Sequence, residues 1–424
     1  MPLKILSVAG TRPNLMKVAA ICDAIKAING RAGGNEIQHL LVHADGNRSD
    51  SFFNDLELPK PDVCLEVGSA SDSVQTARIM ERFETVILSE RPHVVLVLGH
   101  TNLALACALV TKKTWCSNDE EKFIAKLAHV ETGLGIHDRT MPEEINRIVI
   151  DSVTDYLFTA EENANRNLLS QGLPDARVFL VGNMLIDTFL RYRSKAQEST
   201  ILQDLQLVSG AGAKPYAILT LHRPANIDDS LVFSQMCDAF LEISKRMPII
   251  FPAHPRTLKR IQDEDLNDYF VDHCVQDPEP WDARVRIRLI PQLGYLDFLC
   301  LMSQAKVVLT DSGGIQDETT MLGVPCITLD NRTDRPVTLE QGTNMLAGSN
   351  PEKIISEFNR AYDNRWKANP SPRYWDGNAA ERILKVLLDD SFPERSLVAS
   401  NWGLKSISDP ALHQERLRYP RRTM

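Results

Sequence analysis

The sequence lacks a CxxC pair and any cluster of Cys and His at metal-ligand spacing. Its eight cysteines, Cys22, Cys64, Cys107, Cys116, Cys237, Cys274, Cys300 and Cys326, are scattered, as expected of reduced, mostly buried thiols rather than a disulfide framework or a structural zinc site. It lacks an uninterrupted apolar run of about 18 residues, so no membrane association is expected. The opening stretch, MPLKILSVAGTRPN, has too short an apolar run for a signal peptide. A cytoplasmic location is the resulting expectation. Positive charge is in deficit: 47 Lys and Arg against 56 Asp and Glu give a net charge of -9. Broad attraction to nucleic acid is therefore disfavoured, although a local basic pocket could still hold a small anion. Internal repeats and low-complexity segments are missing too.

What is there reads as an α/β protein. With 424 residues, 43% of them hydrophobic and 24% charged, the chain is long enough for two domains that each bury a sizeable core. Short apolar, β-branched runs alternate with longer amphipathic ones, the pattern of βαβ units on a parallel sheet. In the first half the spacing predicts strands at 3–8, 37–42, 94–98, 124–130, 156–158 and 178–181, with helices at 13–28, 101–112, 143–152 and 161–170. A polar stretch ending in Gly-Ala-Gly reads as a linker over 194–214, after which alternation resumes. Strands are expected at 216–221, 249–251, 285–290, 307–309 and 326–329, and helices at 228–245, 295–303 and 315–322. The expected division is therefore a Rossmann-like domain over 1–193, the linker, a second Rossmann-like domain over 215–378, a helix over 379–390 and an arginine-bearing tail over 391–424. Ligands of open α/β sheets bind outside the carboxyl ends of the strands, so two doubly wound domains facing each other place the chemistry in the cleft between them.

Four motifs sit at such strand ends. Gly10-Thr11-Arg12-Pro13-Asn14, with Lys17 one turn later, offers a helix N-terminus and two cations to a phosphate, or else is a Thr N-cap with Pro in the first turn. Thr310-Asp311-Ser312-Gly313-Gly314, with Glu318 one turn on, could cradle a diphosphate on backbone amides and offer a carboxylate to a ribose diol. The alternative is a tight glycine turn. His129-Val130-Glu131 and Pro142-Glu143-Glu144 supply carboxylates for general acid and base chemistry, with Glu131 the stronger candidate because first-turn Glu143 and Glu144 also suit the helix macrodipole. His222-Arg223-Pro224 and His254-Pro255-Arg256 place imidazoles for diphosphate contact or proton transfer, or merely for capping backbone groups.

Taken together, GTRPN with Lys17, HVETG, DRTMPEEINR, HPRT, IPQLGYLDF, LTDSGGIQDE and DRPVTLEQGTN resemble the non-hydrolysing UDP-N-acetylglucosamine 2-epimerase family, from about residue 3 to residue 390. The resemblance implies the GT-B arrangement, a UDP-sugar in the cleft and usually a homodimer. It implies C2 epimerisation of a UDP-HexNAc by anti elimination of UDP to a 2-acetamidoglucal and re-addition, with no metal or redox cofactor. By resemblance, Glu131 and Glu143 fall on the acid/base carboxylates and His222 on the catalytic histidine. Arg12, His254, Ser312, Gly313, Gly314 and Glu318 fall on nucleotide-contacting positions, and Arg335 in the Glu-Arg-Pro segment; Lys17 and Arg147 complete the candidate binding set. Four positions depart from the family pattern. His100 stands for an active-site aspartate, Gly135 for an arginine, Ala225 for an acid and Val42 for the glutamine of a regulatory second substrate site. If His100 takes over the proton transfer, epimerase chemistry survives. The alternatives are a retaining glycosyltransferase that needs a sugar acceptor, or a non-catalytic UDP-sugar-binding protein.

Overall fold

The computed structural model describes residues 2–44, 50–117, 122–135, 138–209, 212–272, 287–367 and 371–391. Two seven-stranded, all-parallel sheets carry the chain. The first is built from β1 (Leu3–Ala9), β2 (Ile37–His43), β3 (Val63–Cys64), β4 (Val94–Leu98), β5 (Lys126–Val130), β6 (Tyr156–Thr159) and β7 (Val178–Leu180), in the order 3-2-1-4-5-6-7. The second comprises β8 (Ala217–Thr220), β9 (Ile249–Pro252), β10 (Val271–Asp272), β11 (Ile287–Ile290), β12 (Val307–Thr310), β13 (Cys326–Thr328) and β14 (Asn344–Leu346), in the order 10-11-9-8-12-13-14. Central strands are apolar on both faces because helices cover both: all five residues of β4, VVLVL, are buried. Separate apolar clusters fill the layers on either side of each sheet.

The strands seen in the sequence are present, with ends shifted by a residue or two. Edge strands β3, β10 and β14 were not anticipated, since two or three residues carry no readable alternation. The stretch read as a linker is more ordered than its composition suggests. The Met184–Ala196 helix runs into it, followed by a short helix at Ile201–Asp204 and a ribbon of Val208–Ser209 against Gly212–Ala213. The last helix, Ala379–Ser391, packs back on the Arg12–Ala32 and Met184–Ala196 helices beside the first sheet. Asp187 caps its start, accepting the amides of Ala379 at 3.1 Å and Ala380 at 2.7 Å. The tail beyond it, with Arg395, Arg416 and Arg421, lies outside the described residues, as do Cys274 and the expected start of the strand at 285. No helix among the described residues is long and apolar enough to cross a membrane.

Register fixes which loops become neighbours. In the first sheet Leu98 is level with Val130, so Gly99-His100 and Glu131 emerge side by side. In the second, Thr220 is level with Thr310, and their hydroxyls are 2.6 Å apart, so His222 emerges beside Asp311. Strand order reverses between β1 and β4 and again between β8 and β12, the switch points at which open sheets bind ligands.

Candidate functional site

A cleft of about 510 Å³ opens between the carboxyl ends of the sheets. Pro13, Met16 and Leu185 line it from one side, and His222, His254, Tyr295, Ser312, Gly314 and Glu318 from the other. Glu318 is a buried carboxylate on the Gly313–Leu322 helix, and the Tyr295 hydroxyl donates to its Oε1 at 2.9 Å. Burial pushes its pKa up to about 7. A carboxylate with spare lone pairs at this depth suits a diol donor.

His222 is held by Asp311. Its Nδ1 lies 2.8 Å from that carboxylate, which also accepts the amides of His222 at 2.9 Å and Arg223 at 2.8 Å. Burial opposes the charge on Asp311, but the His222 hydrogen bond and charge hold its carboxyl below the usual range. The half-exposed imidazole is thereby turned toward the cleft, an orienting pair of the kind that aims proton-transfer or anion-binding histidines. The His254 ring sits 6.4 Å away. It caps its own helix, as the plainer alternative had it: Nδ1 accepts the Arg256 amide at 3.2 Å, which leaves Nε2 as the donor.

Beside the cleft lies a compact set of charges. Glu131 follows β5 with φ of +61°, a left-handed conformation that costs energy for a non-glycine residue and aims its carboxylate inward. Lys17 Nζ lies 2.6 Å from it and Arg335 3.3 Å from it. Burial works against the charge, but the two cations win and lower its pKa to about 2. Arg335 also faces Asp317 at 3.7 Å and Asp334 at 3.9 Å. Burial raises Asp317 to about 6, and nearby Glu161 to about 7. His100 Nδ1 is buried here with no hydrogen-bond partner among the described residues. Burial first, then the charge of His129, lower the proton affinity of His100, while Asp334 acts in the opposite sense.

Behind this set runs a second layer. His129 Nδ1 lies 2.7 Å from Asp151 and Nε2 2.9 Å from the Gly99 carbonyl. Arg147 bonds Asp151 at 2.8 Å and Glu144 at 2.6 and 3.2 Å. Asn146 donates to the His100 carbonyl at 3.1 Å.

Several expectations need correction. Arg147, read as a binding residue, is 1% exposed and engaged by Glu144 and Asp151 through all three of its nitrogens. It lies three and four residues from those partners on the buried face of the Pro142–Val153 helix. Glu143 is exposed, and its neighbour Glu144 takes the buried phase. Lys17 does not project free toward an anion but pairs with Glu131. The Ser312 amide is already bonded to Thr310 Oγ1 at 3.0 Å, so only the Gly313 and Gly314 amides remain for a cradle. Asp334 crowds that helix start, since a Cβ on Gly313 would lie 3.2 Å from its Oδ1. Gly135 is explained by packing: a Cβ there would overlap the Glu144 carboxylate and approach Arg147 to 2.9 Å. Thr11 stands at the N-cap without a side-chain cap bond, and the side chain of Arg12 lies outside the described residues. Asp311, Tyr295, His129 and Asp334 are functional candidates the sequence left unassigned, although all four sit inside motifs already singled out.

Residues 32–388 match a family model described as UDP-N-acetylglucosamine 2-epimerase. A UDP-N-acetylglucosamine 2-epimerase from Methanocaldococcus jannaschii is 36% identical, over 91% of this chain and 99% of its own. The solved structure of the enzyme from that organism, in complex with UDP-GlcNAc and UDP, superposes with a TM-score of 0.75, covering 91% of this chain and 99% of that one. A UDP-2,3-diacetamido-2,3-dideoxy-D-glucuronate 2-epimerase from Pseudomonas aeruginosa is 32% identical, over 91% of this chain and 99% of its own.

Proposed function

The chain belongs to the UDP-N-acetylglucosamine 2-epimerase family, and from that premise we propose that it inverts C2 of a UDP-N-acetylhexosamine by anti elimination of UDP and re-addition. The glycosyltransferase and silent-binder readings are not favoured, because the likeness to epimerases runs through nine-tenths of the chain. The M. jannaschii relative makes UDP-GlcNAc the first substrate to try, and the P. aeruginosa relative widens the class to other 2-acetamido sugars.

One observation carries the residue assignment: the half-buried imidazole of His100, whose Nδ1 is buried without a partner among the described residues, lies beside an ionised carboxylate clamped by two cations, next to a cleft with the features of a nucleotide site. A carboxylate with a pKa near 2 is a weak base. His100, kept neutral by burial, is the better acceptor for the C2 proton. Glu131 then holds Lys17 and Arg335 in place, and Glu143, on the exposed first turn of its helix, is assigned to the opposite proton transfer. Charge grows on the diphosphate as the anomeric C–O bond breaks. His222, oriented by Asp311, the Nε2–H of His254 and the Gly313–Gly314 helix start are placed to stabilise it, as preorganised donors do in catalysis. Glu318 receives the ribose. The proposal includes the two-domain division given above, a homodimer and a cytoplasmic location.

Positional isotope exchange tests it. UDP-GlcNAc labelled with ¹⁸O in the bridge between the anomeric carbon and the diphosphate should scramble the label into non-bridging positions, since released UDP rotates before re-addition. Retention of all label in the bridge while C2 inverts would refute elimination.

A further inference from the structure

We propose that His129 is a positioning residue of the proton-transfer site, fixing the Gly99–His100 turn and tuning the ring of His100 from beneath. The inference rests on the reading of His100 as the group that accepts the C2 proton. His129 is fully buried and does not line the cleft. Each of its ring nitrogens faces an acceptor, the Asp151 carboxylate at 2.7 Å and the Gly99 carbonyl at 2.9 Å, so the ring donates in both directions. Asp151 is in turn anchored by Arg147 at 2.8 Å and by the Thr132 hydroxyl.

The turn it holds is a demanding one. Gly99 has φ of +65°, in the left-handed region, and its amide reaches the Val130 carbonyl at 3.2 Å. His129 secures the carbonyl of that residue, and Asn146 secures the carbonyl of His100 at 3.1 Å. With both carbonyls tied, the backbone that carries His100 is held, and its ring feels the charges of Asp334, Lys17 and Arg335. Those three and His129 are the charged groups that act on it. A cation beneath the ring also disfavours a second proton on His100, which keeps it a base.

Two substitutions separate the roles. His129→Gln places an amide donor near the position of Nε2 and can keep the Gly99 bond while removing the charge. His129→Asn cannot reach Gly99. In a C2 deuterium-exchange assay, His129→Gln should move the acid limb of the pH–rate profile to higher pH, because His100 then takes up its inactivating proton sooner. His129→Asn should cut the exchange rate about 10- to 100-fold, the loss expected of a displaced catalytic group. UDP affinity should hold in both, which also reports folding. Unchanged rate and unchanged acid limb in variants that bind UDP would overturn the proposal. Should either variant fail to fold, the unaltered protein still decides: ¹⁵N-histidine spectra must show one ring with two exchange-protected N–H protons, and their absence overturns it. His100→Asn, run in parallel, isolates the premise. Exchange at the wild-type rate in that variant removes His100 from the chemistry and the role of His129 with it, whereas loss in His100→Asn with none in the His129 variants sinks this inference alone.

Discussion

Replacing Glu131 by Gln removes one charge without changing side-chain shape or the backbone preference that its φ of +61° strains. The carboxylate is clamped by Lys17 at 2.6 Å and Arg335 at 3.3 Å, and its pKa falls from 4.5 to about 2. At about 1.4 kcal/mol per pKa unit that depression is worth about 3 kcal/mol of folding stability. Removing one partner of a buried ion pair costs about 3 to 5 kcal/mol, so a second route gives the same size. The sign is that of a depressed acid: the contribution is fully present above pH 4.5 and is lost as pH falls toward 2. Glu161, Glu318 and Asp317 act in the opposite sense. Their carboxyls are raised to about 7, 7 and 6, so they weaken the fold at neutral pH and strengthen it as they take up protons toward pH 5. That rise persists in the variant, while the acid loss below it shrinks. Urea denaturation at pH 7 without ligand should show Glu131→Gln less stable by about 3 kcal/mol at an unchanged denaturant slope. Stability within about 0.5 kcal/mol of the wild type would refute the account of Glu131 as a clamped, ionised carboxylate.

Three other outcomes follow from the geometry. UDP affinity, measured by calorimetry, should rise from pH 6 to pH 8 as Glu318, with its pKa near 7, ionises and can accept from both ribose hydroxyls; Glu318→Gln should flatten that dependence, and an unchanged slope would remove Glu318 from the ribose site. Asp311→Asn should lower turnover by about 100-fold or more and weaken UDP binding with it, since His222, a donor to the diphosphate, loses the carboxylate 2.8 Å from Nδ1; normal turnover with normal UDP affinity would show that the pair is only structural. Gly135→Arg should lower stability by about 1 to 3 kcal/mol, because its Cβ displaces the Glu144–Arg147 pair; a thermal melt matching wild type would mean that the loop yields instead.

The two sheets were legible because doubly covered parallel strands are near-continuous apolar runs, as in VVLVL at 94–98. That Gly314 and Glu318 would come together at the cleft was legible because one helix start fixes their spacing. What the sequence hid is pairing across distance. Lys17 and Glu131 are 114 residues apart; read alone, the lysine looked like a phosphate contact and the glutamate like an acid/base group, whereas folding makes them partners. Adjacent Glu143 and Glu144 differ by about 100° of helical phase, and only the packing surface decides which is buried. His100 looked like the loss of a carboxylate. In three dimensions its Nδ1 is buried and the carbonyls of its turn are held by His129 and Asn146, the arrangement behind the proposal that it serves as a base.

The central claim is tested most directly by proton NMR of UDP-GlcNAc with the purified protein in deuterium oxide, with no acceptor added. Deuterium entering C2 together with a new manno-configured anomeric signal is the result this account predicts. A spectrum unchanged at C2 while UDP-GlcNAc is bound, or donor consumed only once an acceptor is supplied, would contradict it.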